Sequence, residues 1–136
     1  MAIVNIRDTG RNSAKTTDVR ELAEKVQKPS DTEAITAANT ITAAESGTRY
    51  VLNVAAAKIQ TLPTPAAGLE YWFYVGATEP TGTHTVVTAS SANIIVGNIS
   101  SPEDAAGIVA TVTDSDTISF VANKAVHGDV VHVWSD

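Results

Sequence analysis

Three histidines, His84, His127 and His132, are the side chains of this chain best suited to acid–base or metal chemistry. For either role they would have to converge with a carboxylate such as Glu79 or Asp129. Nothing in their spacing requires that. His132 sits between Val131 and Val133, which puts it on the opposite face of a strand from the two valines. The three read as ordinary surface or turn histidines. Serine and aspartate are plentiful, but no Gly-x-Ser-x-Gly elbow is present to hold a nucleophile. Asp114-Ser115-Asp116 offers two oxygen ligands of the kind a calcium loop uses. It lacks the further alternating ligands, the glycine and the distal glutamate of such a loop, and reads as an Asx-stabilised hairpin turn. The expectation is a protein that is not an enzyme, with no catalytic residue, no metal and no cofactor.

The chemistry that remains is that of surfaces. Residues 70–75 hold four of the seven aromatic residues. On a strand, Tyr71, Phe73 and Val75 share one face while Trp72 and Tyr74 share the other. One face belongs in the core. The other lies under a loop or the N-terminal arm, or at a subunit contact. Exposed Trp and Tyr also stack on sugars, which keeps a carbohydrate-binding module open as an alternative. Trp134 near the C-terminus implies that this end is packed.

The elements that must position these residues fall into two parts. Residues 1–33 form a polar arm and residues 34–136 a β-domain. Through residue 28 the arm carries six bases against four acids, a net charge of +2; the rest carries three bases against eleven acids, a net charge of −8. The arm begins with an alternating segment containing Ile3, Val4 and Ile6. It then passes through a polar stretch to one short helix at about 18–28. Asp18 and Glu21 have capping-box spacing; Val19, Leu22, Ala23 and Val26 form an apolar stripe; Pro29 ends the helix. Three turns are too few to be stable alone, so the stripe needs a surface to lie on.

From Ala34 onward the period changes. Residues 34–42, 48–54, 59–62, 70–76, 83–88, 93–96, 107–113, 117–122 and 129–134 read as strands, separated by good turn formers such as Glu45-Ser46-Gly47 and Glu79-Pro80-Thr81-Gly82. Close spacing without intervening helices predicts a mainly β fold, a compact antiparallel β-sandwich or β-barrel.

The totals restrict what such a body does. Aromatic residues make up only 5% of the chain, so the core rests on Ala, Val and Ile, and association with other subunits is a ready way to bury more surface. Cysteine is absent, which excludes disulfides and thiolate metal sites. An acidic body repels phosphate, so no nucleic-acid partner is expected. No run approaches the roughly 20 apolar residues of a membrane span, and residues 1–25 contain no signal-like apolar run. The expectation is a soluble protein made in the cytoplasm.

Residues 41–52, 61–71 and 92–97, rich in Thr, Ala and Gly with a Leu-Pro-x-Pro turn, resemble small virion proteins of tailed bacteriophages. The likeness is greatest to capsid decoration (cement) proteins. That resemblance implies an N-terminal arm joined to a compact β-domain, a homo-oligomer (trimer), the major capsid protein as partner, and a place on the outer surface of the virion head. The implied function is to clamp neighbouring capsomers, with the protein made in the host bacterial cytoplasm. Ile3, Val4, Ile6, Arg7, Arg11, Val19, Leu22 and Val26 are the expected arm contacts with the capsid or an adjacent subunit. A structural or receptor-binding domain of a tail fibre or spike shares the same sequence texture.

Overall fold

The computed structural model describes residues 31–100 and 109–136. The predicted helix at 18–28 lies outside the described residues. Residues from Asp31 to Asp136 form one compact unit. Its described residues hold ten strands: β1 (Thr32–Ile35), β2 (Asn39–Thr40), β3 (Arg49–Leu52), β4 (Ile59–Thr61), β5 (Leu69–Val75), β6 (His84–Val87), β7 (Ile95–Ser100), β8 (Val109–Ser115), β9 (Thr117–Phe120) and β10 (Val130–Ser135). Each of the nine predicted runs overlaps an observed strand, and the first overlaps two. A 3₁₀ turn, Ala43–Glu45, joins β2 to β3.

The strands form two four-stranded sheets. Sheet A has the order β1-β3-β5-β10 and sheet B the order β2-β4-β6-β9. β7 and β8 make a separate hairpin. The predicted antiparallel arrangement is corrected here. β1, β3 and β5 run parallel to one another, as do β2, β4 and β6; only β10 and β9 close their sheets antiparallel. The sheets are open, so the barrel alternative is also set aside.

The reason lies in the winding of the chain. From β1 to β6 consecutive strands alternate between the two sheets, so each parallel pair is joined through a strand of the opposite layer. Parallel neighbours need a crossover of a dozen or more residues, usually supplied by a helix. Here a strand of the other sheet supplies it, and close strand spacing without helices therefore does not dictate antiparallel pairing. After the β7–β8 hairpin the chain returns along β9 and β10, against the direction of β6 and β5.

The inner faces of both sheets share one apolar cluster. Sheet A contributes Ile35, Tyr50, Leu52, Tyr71, Phe73 and Val75; sheet B and its connections contribute Ile41, Leu62, Val86 and Phe120. Alternation along β5 buries Tyr71, Phe73 and Val75 and leaves Trp72 and Tyr74 on the outer face, as predicted. Tyr50 stacks on Phe73 with ring centroids 5.3 Å apart and planes 17° from parallel. Each fully buried large side chain of this set contributes about 1.5–3 kcal/mol of transfer free energy.

Gln60, Tyr71 and His84 are among the buried side chains whose polar atoms are tied to backbone. Gln60 donates to the Ala37 carbonyl at 3.1 Å. Tyr71 Oη donates to the Thr42 carbonyl at 3.0 Å. His84 is 1% exposed, which corrects its expected place on the surface. Its Nδ1 accepts from Lys58 N–H at 3.1 Å and its Nε2 lies 2.9 Å from the Val54 carbonyl. With Nδ1 accepting, Nε2 carries the proton and donates. The ring is a neutral brace holding the β3–β4 connection against β6.

Asp114-Ser115-Asp116 is likewise not a hairpin turn. β8 pairs with β7, whereas β9 pairs with β6, so this segment carries the chain from the hairpin into sheet B. Asp114 takes a left-handed φ of 58° there, a conformation aspartate tolerates better than most residues.

Candidate functional site

The outer face of sheet A is the surface on which side chains with recognition chemistry gather. It is built by period-two alternation on two paired strands. β10 alternates exposed Val130, His132 and Trp134 with half-buried Val131, Val133 and Ser135. The two inward valines pack against the core, and this turns His132 and Trp134 outward. The antiparallel register then sets His132 opposite Trp72, Trp134 opposite Glu70, and Val130 opposite Tyr74. On the other side of β5, Arg49 pairs with Trp72.

The rings do not lie flat on the sheet. Trp72 and His132 stack with centroids 4.3 Å apart and planes within 3°, and Trp134 follows His132 at 5.3 Å with a 40° tilt. Neighbouring strands lie about 4.7–4.9 Å apart, so side chains standing upright at paired positions come into ring-stacking distance. Glu70 Oε2 lies 3.6 Å from His132 Nε2, both side chains partly exposed. Trp134 is 66% exposed and Val130 52%. The C-terminal segment is thus held by strand pairing, while the Trp134 side chain expected to pack there faces outward.

A second polar group closes one end of the body. The Glu45 carboxylate accepts from Thr42 N–H and from Thr42 Oγ1–H, each at 2.7 Å, and from Tyr50 Oη at 3.3 Å. The Thr42 hydrogen bonds hold the Glu45 carboxyl below its ordinary range. Burial, reinforced by the neighbouring Glu45 charge, pushes the phenols of Tyr50 and Tyr71 up. These groups stabilise each other in the protonation states they hold at neutral pH.

The predicted arm contacts Ile3, Val4, Ile6, Arg7, Arg11, Val19, Leu22 and Val26 all lie outside the described residues. Of the histidines, His84 is buried on sheet B and His132 stands on the outer face of sheet A, so the two do not meet. Among the described residues no three His, Asp or Glu side chains gather where one cation could be held. No helix among them is long and apolar enough to cross a membrane.

The Trp72–His132–Trp134 row, with Glu70 beside it, is the group that the linear sequence did not reveal. Its members sit 60 residues apart and meet only through the β5–β10 register. The one available signal was the outward phase shared by His132 and Trp134. In comparisons with known proteins, the chain matches no family model, no curated protein and no solved structure.

Proposed function

We propose that the chain is a non-enzymatic structural protein of a phage virion that attaches to the outer surface of the head and stabilises it by bridging neighbouring capsomers. The observation that carries this reading is the outer face of sheet A, where Trp134, Val130 and the Trp72–His132 stack stand on a body whose own core is small. Apolar and aromatic side chains concentrated on one face mark contact surfaces. The chemically versatile side chains of the body are engaged in holding structure: His84 braces backbone, and Glu45 fastens Thr42 and Tyr50. The arm supplies the attachment segment, and the sequence likeness to decoration proteins supplies the head as its target. Many identical weak attachments on one shell provide avidity without a single tight site.

The test is removal of residues 1–28. The truncated chain is expected to keep its β spectrum and lose binding to heads. Retained attachment contradicts the role of the arm.

A second reading is favoured by the ring row itself. A glycan-binding module uses standing aromatic rings beside a carboxylate, here Trp72, Trp134 and Glu70. Quenching of tryptophan fluorescence by added oligosaccharides distinguishes it from a purely structural role.

A further inference from the structure

β10 is an edge strand. It pairs with β5 on one side, and among the described residues no strand pairs with its other side. The bonds on the paired side fix which backbone groups face outward. Val75 N–H donates to the Asp129 carbonyl at 2.9 Å, and Gly68 N–H to the Ser135 carbonyl at 2.9 Å. Backbone groups alternate sides along a strand, so Val130, His132 and Trp134 direct their N–H and C=O groups to the open edge. The same three residues carry the exposed side chains of the outer face.

This edge is six residues long, contains no Lys or Pro, and pairs with β5 without a register shift. It therefore lacks the usual devices that keep free edges apart. The β7–β8 hairpin has edges as long, but its pairing carries a register shift between Ile95 and Gly97, and the other edges of the two four-stranded sheets are shorter. β1 has four residues including Glu33, β2 has two, and β9 has four.

The spacing Val130-x-His132-x-Trp134 has its centre at His132. We infer that β10 pairs antiparallel with β10 of a second copy of this chain, across a two-fold axis that passes between the two His132 residues. In that register each outward N–H and C=O finds a partner, giving roughly six backbone bonds. Val130 then faces the partner's Trp134, and the two most exposed apolar side chains of the strand cover each other twice. The Trp72–His132 stack, spaced at 4.3 Å, continues across the new junction at the ordinary strand separation of about 4.8 Å into the partner's His132. Glu70, 3.6 Å from His132, stands beside each imidazole of the facing pair.

Such pairing closes at two copies because each edge is consumed. It differs from the threefold assembly that the phage resemblance implies, and it does not rest on attachment to a head. A junction of one strand buries less than the about 1,200 Å² of a standard stable interface, so the association is weak and depends on concentration.

Sedimentation equilibrium of the full chain, from about 1 to about 500 µM, tests this. The mass is expected to rise from 14.2 kDa towards twice that value. Trp134→Lys and His132→Pro are expected to stay at the one-chain mass with unchanged far-UV spectra. The only backbone group that proline at 132 removes is an N–H that faces away from β5. A one-chain mass at every concentration, a three-chain limit, or a two-chain limit kept by both variants overturns the inference. Should both variants lose their fold, cysteine probes decide, since the chain has no native cysteine. On oxidation His132→Cys is expected to give a covalent two-chain species. Val130→Cys, whose counterpart lies four residues away in this register, is not. Equal cross-linking at both positions, or none at either, overturns the pairing.

Discussion

The Trp72 indole and the His132 imidazole lie face to face, 4.3 Å apart and within 3° of parallel, although 60 residues separate them in the chain. The contact exists because β5 and β10 are paired with Trp72 opposite His132. Replacing His132 by alanine uncovers one face of the indole. Stability is expected to fall by about 0.5–1.5 kcal/mol, the usual value of an aromatic pair beyond its buried area. Trp134→Ala, which removes a side chain that is 66% exposed, is expected to change it by no more than about 0.5 kcal/mol. Urea unfolding at low micromolar protein, followed by Trp72 emission in Trp134→Ala and in the double variant, measures the difference.

The Glu45 cluster predicts how stability varies at both ends of the pH range. The Glu45 carboxyl is held below its ordinary value of 4.5. Its contribution is complete above that value and is lost as pH falls through the lowered folded value. Tyr50, wholly buried, is shifted above its ordinary value of 10.0. Its contribution is complete below that value and is lost as pH rises from there through the raised folded value. Urea midpoints measured across pH should therefore decline on both sides. Glu45→Gln should flatten the acid limb and Tyr50→Phe the alkaline limb, each leaving the other limb in place. An unchanged acid limb in Glu45→Gln contradicts the assigned role of Thr42.

His84 braces two backbone groups, so its removal should cost more than its size suggests. His84→Ala leaves the Lys58 N–H and the Val54 carbonyl without this partner in a partly buried place. A loss of roughly 2–4 kcal/mol is expected in chemical denaturation. Gly82→Ala tests the same region by another route. A Cβ at Gly82 would lie 2.5 Å from the Ala57 backbone nitrogen, and the same Gly82 N–H is held by the Ala55 carbonyl. The backbone must shift to admit the methyl, at an expected cost of about 1–3 kcal/mol. A neutral effect of both substitutions would remove the case for a braced junction.

The core prediction is the simplest. Phe73 is wholly buried between Tyr50 and its sheet neighbours. Phe73→Ala is expected to lose about 3–5 kcal/mol. A body of this size has only about 5–15 kcal/mol in total, so this variant should be partly unfolded at 37 °C by circular dichroism.

Strand positions and faces were legible in the sequence because alternation is a local signal: the inward set Tyr71, Phe73 and Val75 follows from residue types alone. Pairing direction was not. Whether β3 lies parallel or antiparallel to β5 depends on where the intervening residues go, and β4 goes to the opposite sheet. His84 was misplaced because the outward Val87 is as apolar as the inward Val86, and the inward phase would have to pair His84 with Val86, so alternation gave no clear phase. The burial of His84 on the face of Val86 rests on two backbone partners in the β3–β4 connection. The ring row at Trp72 and His132 depends on register, which is settled by tertiary packing.

Attachment to a capsid is the central claim, and co-sedimentation tests it most directly. Purified protein is mixed with expanded, undecorated heads of the phage proposed as its source, and bound protein is quantified against the major capsid protein. The account predicts saturable binding at a fixed ratio to that protein. Absence of binding at about 10 µM, a concentration at which a functional attachment site should be well occupied, would contradict it.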